Sequence, residues 1–311
     1  MKKTAGIHHI SAIVGHPQEN IDFYAGILGL RFVKKTVNFD DPGTYHFYFG
    51  NDYGKPGTII TFFPWAGARK GRIGGGQVAV TVYAIPPGSM VFWEERLKKF
   101  QIPFTKEERF GETYLRFEDV HGLILELVER EEGELNQWTF GGVSPETAIK
   151  GFGGAVLYST NPESTENTLT DVMGLEQTGE DDSYIRFRSY ADIGNIIDLK
   201  KEPVKRGRMG AGVVHHIAFR AEDQEDHLEW RKHVAEKDFI VTGVRDRNYF
   251  DAIYFREYGD ILFEIATDPP GFMRDEPYEK LGSGLMLPPQ YEHYREHLNK
   301  TLIPVEVREL D

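Results

Sequence analysis

The chain has 311 residues, 40% of them hydrophobic and 27% charged, the composition of a folded protein with a sizeable core. A net charge of -13 excludes nucleic acid and anionic membranes as main partners, because both require a basic surface. The absence of cysteine excludes disulfides, thiolate metal sites and a Cys nucleophile, and with neither a signal peptide nor a membrane-spanning apolar run the expected location is cytoplasmic.

The first strand is GIHHISAIV, residues 6 to 14, with two adjacent histidines in an apolar run. An amphipathic helix, QENIDFYAGILG, follows and stops at Gly29. Three more alternating segments, RFVKKTVNF, YHFYFG and GTIITFFP, complete a βαβββ unit. Residues 67 to 77, GARKGRIGGGQ, precede a strand instead of opening a helix, so Gly74, Gly75 and Gly76 read as a flexible linker and not as a phosphate loop.

The same order then returns three times. Residues 77 to 130 contain QVAVTVYAI, the helix SMVFWEERLKKF and strands ending in LILELVER. Residues 131 to 151 read as a midpoint hinge. Residues 152 to 202 contain FGGAVLYST, the helix PESTENTLTDVMG and strands ending in NIIDLKKE. Residues 213 to 268 contain VVHHIAFRA, the helix EDHLEWRKHVAEK and strands ending in ILFEIATD. Trp93 and Trp230 are 137 residues apart, while Phe117 and Phe255, and Glu126 and Glu264, are each 138 apart. Units one and three share the helix endings ILGL and VMGL, with Gly29 and Gly174 at the stop. The units therefore alternate as a duplicated pair. The expected class is α+β, four βαβββ modules, with one pair in residues 1–140 and another in 150–270. A tail over 271–311 carries a Pro-started helix in PPQYEHYREHLNKTL.

Strand alternation puts one histidine of each doublet on a given face. His9 shares its face with Ser11, and His216 with Ala218, whereas Ile10, Val14, Ile217 and Phe219 lie opposite. Small neighbours leave room for a metal and a ligand. Glu264, in ILFEIAT, shares its face with Ala266, and a carboxylate in so apolar a phrase needs a partner. Two histidines and a carboxylate make a facial triad suited to Fe(II) with open positions. The first strands of units two and three lack histidine, so Glu126 and Asp198 fall in a partner site without imidazoles, and one metal per chain is expected. His46 and His121 read as structural.

These residues resemble the vicinal oxygen chelate superfamily. The phrases HHIS, YHFYFGNDYGKPGTIITFFPW, VVHHIAF, RNYFDAIYFRE and LFEIATDPPGF are similar to ring-cleaving dioxygenases of the hydroquinone 1,2-dioxygenase branch, over nearly the whole chain. The resemblance implies modules pairing into two incomplete β-barrels and Fe(II) held by His9, His216 and Glu264. It also implies substrate or supporting roles for His8, Ser11, His215, Arg247 and Tyr254, with Ser11 standing where a relative carries threonine. Simple alternation sends His8 and His215 to the opposite face, where each could instead orient its neighbour's strand. The implied partners are a small aromatic diphenol and dioxygen. Para hydroxyls cannot both chelate one metal, so protein groups must supply a second anchor. A non-oxidative metal-dependent lyase or isomerase, or an aromatic-binding resistance protein, are the alternatives. The acidic surface leaves a homo-oligomer open without defining an interface.

Overall fold

The computed structural model describes residues 2–310. Module one contains β1 (Ile7–Val14), α1 (Pro17–Ile21), β2 (Arg31–Val37), β3 (Tyr45–Gly50) and β4 (Ile59–Pro64). Module two contains β5 (Gln77–Ile85), α2 (Met90–Lys99), β6 (Phe104–Arg109), β7 (Glu112–Glu118) and β8 (Ile124–Glu129). Module three contains β9 (Gly151–Tyr158), α3 (Pro162–Asn167), β10 (Glu176–Glu180), β11 (Tyr184–Arg188) and β12 (Ile196–Lys200). Module four contains β13 (Val213–Ala221), α4 (Gln224–Ala235), β14 (Arg245–Asp246), β15 (Phe250–Arg256) and β16 (Leu262–Pro270). In the tail, a short helix, α5 (Arg295–Thr301), follows three 3₁₀ turns.

The sixteen strands form two curled eight-stranded half-barrels. The first runs β14-β15-β16-β13-β1-β4-β3-β2, joining modules four and one; the second runs β10-β11-β12-β9-β5-β8-β7-β6, joining modules three and two. The sequence halves 1–140 and 150–270 hold two modules each. Each half contributes one module to each sheet, because the antiparallel seams are β1 with β13 and β5 with β9. Within a module the first and last strands pair in parallel, as β1 does with β4 and β13 with β16. That pairing requires a crossover, which the helix and two intervening strands supply.

One face of each sheet packs on the helices in a continuous apolar core containing Ile10, Val14, Ile217 and Phe219. Trp93 and Trp230, the matched helix residues, are both fully buried in it. The helices of modules one and three differ from the other two. Each leaves α geometry for a π-helical turn, Asp22–Ile27 and Thr168–Val172, before Gly29 and Gly174 end it at positive φ. This repeats the duplicated alternation at the level of backbone.

The glycine linker departs from expectation. It lies against residues 205 to 211, with bridges Lys70 to Ala211, Arg72 to Arg208 and Gly75 to Arg206. A Cβ on Gly75 would collide with the Val204 carbonyl, so glycine here permits close backbone approach instead of flexibility. The tail crosses the inner face of the first sheet. There Lys34, fully buried, places Nζ 2.6 Å from Asp275 and 2.5 Å from Glu276. Among the described residues no helix is long and apolar enough to cross a membrane.

Candidate metal centre

The seam between β1 and β13 is not regular. Ile7 opposes Phe219 but His9 opposes Ala218, and Ser11 opposes His216 but Ala12 opposes Val214. His8 and His215 are each the extra residue of a β-bulge. Alternation therefore fails at both, and their rings turn onto their neighbours instead of the opposite face. His8 Nδ1 lies 2.9 Å from His9 Nδ1, and His215 Nδ1 lies 2.8 Å from His216 Nδ1, both pairs edge to face.

In the first doublet a backbone contact fixes where the protons sit. His8 Nε2 is 3.1 Å from the Thr267 carbonyl, which can only accept, so His8 donates there and its Nδ1 accepts from His9 Nδ1–H. His9 Nε2 is left with a lone pair. At His215, which lines the cavity, no carbonyl plays that part; a cation on His216 Nε2 would put the shared proton on His216 Nδ1 and leave an N–H on His215 Nε2. Burial lowers the pKa of His8 and His216, and burial together with His216 takes His215 down to about 3, so all three imidazoles are neutral near pH 7.

Sheet register brings a carboxylate to both Nε2 atoms. His9, Ala218, Glu264 and Tyr254 lie in one row across four strands, and Thr61, Ser11 and His216 lie in the next. His9 Nε2 and His216 Nε2 are 3.3 Å apart, and Glu264 Oε2 is 3.5 and 2.8 Å from them. The 2.8 Å contact has hydrogen-bond length but not hydrogen-bond alignment. Neither oxygen of Glu264 receives a hydrogen bond, although the side chain is wholly enclosed. One ligand atom from each residue lies within 4.8 Å of the others, and a cation would satisfy all three.

A cavity of about 330 Å³ opens over this set. Arg247 Nε donates to Tyr254 Oη at 3.1 Å, and its Nη2 donates to Asp40 at 3.1 Å. Burial first and Glu264 second raise the Tyr254 pKa, so the phenol keeps its proton while its oxygen accepts from Arg247. Ser11 also lines the cavity, 2.7 Å from Thr61 Oγ1. All the residues singled out in the sequence thus lie at this place, with His8 behind His9. The sequence reading missed Phe39, Phe63, Trp65 and Phe250 as walls, and it read His46 as structural without placing it at the cavity, which it lines. The alternation of YHFYFG puts His46 and Tyr48 on one face, but no signal there says which face is inside.

The sequence pattern of the Glyoxalase/Bleomycin resistance protein/Dioxygenase superfamily matches residues 6–127 and 151–273. The chain belongs to this superfamily. It is 66% identical, over all of its length and 99% of the relative's, to a Bacillus subtilis protein named "Putative ring-cleaving dioxygenase MhqO". It is 32% identical, over 97% of both chains, to the chlorohydroquinone/hydroquinone 1,2-dioxygenase of Sphingobium indicum. A solved Bacillus subtilis structure, 66% identical, superposes with a TM-score of 0.99 over 100% of both chains. The chain is an enzyme of the ring-cleaving dioxygenase group of the superfamily.

The other sheet carries a second cup. There the bulges recur at Ala79 and Gly153. Matching registers put Gly154 where His9 stands, Val80 for His216, Asp198 for Thr61 and Glu126 for Glu264. No imidazole is left, and a guanidinium sits between the acids. Arg109 Nε is 2.7 Å from Asp198 and its Nη2 2.9 Å from Glu126, while Arg116 and Arg186 pair with the same two carboxylates.

Proposed function

We propose that the chain is an Fe(II)-dependent dioxygenase that opens the ring of a hydroquinone-type diphenol, with His9, His216 and Glu264 as the metal ligands. The observation that carries this reading is the unpaired buried carboxylate of Glu264 facing two imidazole nitrogens at the floor of an aromatic-walled cavity. Two neutral nitrogens and one carboxylate leave coordination positions open, as dioxygen chemistry on ferrous iron requires. A ferrous ion there supplies the redox and Lewis-acid chemistry that lets an aromatic ring react with dioxygen.

The remaining work falls to the chain's own groups. Phe63, Trp65 and Phe250 enclose an aromatic ring and exclude water. Arg247 and Tyr254 form a donor pair for a substrate oxygen and stabilise its anionic form. His215, neutral, presents an N–H to the same space and holds a proton at Nε2. The cavity is large enough for one ring with small substituents. Ring opening between a hydroxyl-bearing carbon and its neighbour takes up both atoms of dioxygen, so no further reductant is needed.

The test is anaerobic loading with Fe(II), followed by dioxygen uptake with a panel of hydroquinones and catechols. Uptake is expected with hydroquinones, stoichiometric with ring-opened product and lost after chelation. Absence of uptake with every diphenol overturns the reading. Turnover without dioxygen on Mn, Ni or Zn would point instead to a lyase or isomerase.

A further inference from the structure

Four side chains on the inner face of the first sheet form a hydrogen-bonded row ending at the cavity. Tyr48 Oη lies 3.0 Å from His46 Nδ1, His46 Nε2 lies 2.9 Å from Thr61 Oγ1, and Thr61 Oγ1 lies 2.7 Å from Ser11 Oγ. All four are buried, and Tyr48 and Thr61 are wholly enclosed. Burial drives the His46 pKa well below its ordinary value, so the ring stays neutral with one donor and one acceptor nitrogen.

The direction of the row is decided at its far end. The structure gives the enclosed phenol of Tyr48 one partner, His46 Nδ1. Were the row reversed, His46 would donate to Tyr48 and the phenol proton would be buried without an acceptor, a costly state. Tyr48 therefore donates to His46, His46 Nε2–H donates to Thr61, and Thr61 donates to Ser11. Ser11, already accepting within the row, is left with a proton to give, and the open direction is the cavity.

We propose that Tyr48, His46 and Thr61 are positioning residues that hold the Ser11 hydroxyl as a donor to a phenolate oxygen of the bound substrate. The inference rests on the diphenol reading above, which it deepens by naming the ionised phenol as the form bound. A row of opposite polarity would present a Ser11 lone pair to the same oxygen and favour the neutral phenol.

The experiment uses the Fe(II)-loaded protein under anaerobic conditions and 4-nitrophenol as probe, its ionisation followed by visible absorbance across a pH series. Thr61→Val breaks the row, Tyr48→Phe frees it to reverse, and Thr61→Ser preserves it. In the first two variants the pKa of the bound probe is expected to rise by about one unit, a tenfold change in ionisation constant. Thr61→Ser is expected to match the wild type. With a diphenol, kcat/KM should fall about tenfold in the same two variants while iron content stays unchanged. A bound-probe pKa that is the same in all four proteins overturns the proposal, as does a shift shared by Thr61→Ser. The binding readout needs no turnover. A wild type that shifts the probe as expected yet consumes no dioxygen would sink the ring-cleavage reading and leave the polarity of the row standing.

Discussion

At Glu264 stability and chemistry pull apart. The carboxylate is buried without a hydrogen bond, which helps bind a cation and costs free energy without one. Glu264→Gln should leave the metal-free protein as stable as the wild type or about 1 kcal/mol more stable, while abolishing iron retention. Urea unfolding in chelator checks the first half, and a marked loss of stability would contradict it. His8 touches no cavity but fixes the proton of His9, so His8→Phe should weaken metal binding about 10–100-fold with all three ligands present, read by competition with a chelator. The buried neutral histidines also set a pH dependence. His8, His46, His215 and His216 have folded pKa values below the unfolded value of about 6.5, so the unfolded chain binds more protons below that pH. Stability of the metal-free protein should be flat above about pH 7 and fall below about 6.5, by up to about 1.4 kcal/mol per unit for each such histidine. A urea midpoint unchanged between pH 7 and 5 would refute this. His9, His216 and Glu264 were legible in the sequence because their small same-face neighbours betrayed a space. His46 was not, because its partners Thr61 and Tyr48 are recognisable only once three strands are side by side.

The decisive elements are the bulges. A doublet of histidines on a regular strand would place one ring on each face. A bulge at His8 and another at His215 put both rings of each doublet together, and nothing in the letters HH announces that extra residue. The helices show the same limit. Their apolar spacing was readable, but the π turns at Asp22–Ile27 and Thr168–Val172 shift register within an unbroken amphipathic pattern. The loop between β2 and β3 closes one side of the cavity and is tied at two adjacent residues. Asp40 accepts from Arg247, and Tyr291 of the tail donates to the Phe39 carbonyl at 2.7 Å. Tyr291→Phe should loosen that wall and raise KM for the diphenol several-fold, with kcat changed less than twofold. Equal losses in both constants would argue against a wall that only binds.

Across the whole molecule, the seams join strands far apart in sequence, His9 beside Ala218 and Val82 beside Gly154. Repeats revealed the modules, but which modules share a sheet depends on strand edges that a single chain of letters does not display. Neither half of the chain can complete a sheet alone. Fragments 1–140 and 150–311 should be insoluble apart and co-purify when expressed together; a soluble, well-folded 1–140 would contradict the shared sheets. The duplicate cup adds a last consequence. Two equal cups would divide scarce ferrous ion between a working position and an idle one. Arg109 is a resident occupant that no accessible pH deprotonates and no metal displaces, since it is covalently part of the wall. Arg109→Met should cost about 3 kcal/mol of stability and leave dioxygen uptake untouched. In the wild type, an iron titration should rise to a single equivalence point at every pH the fold survives: the duplication kept its symmetry in the backbone and surrendered it in the metal account.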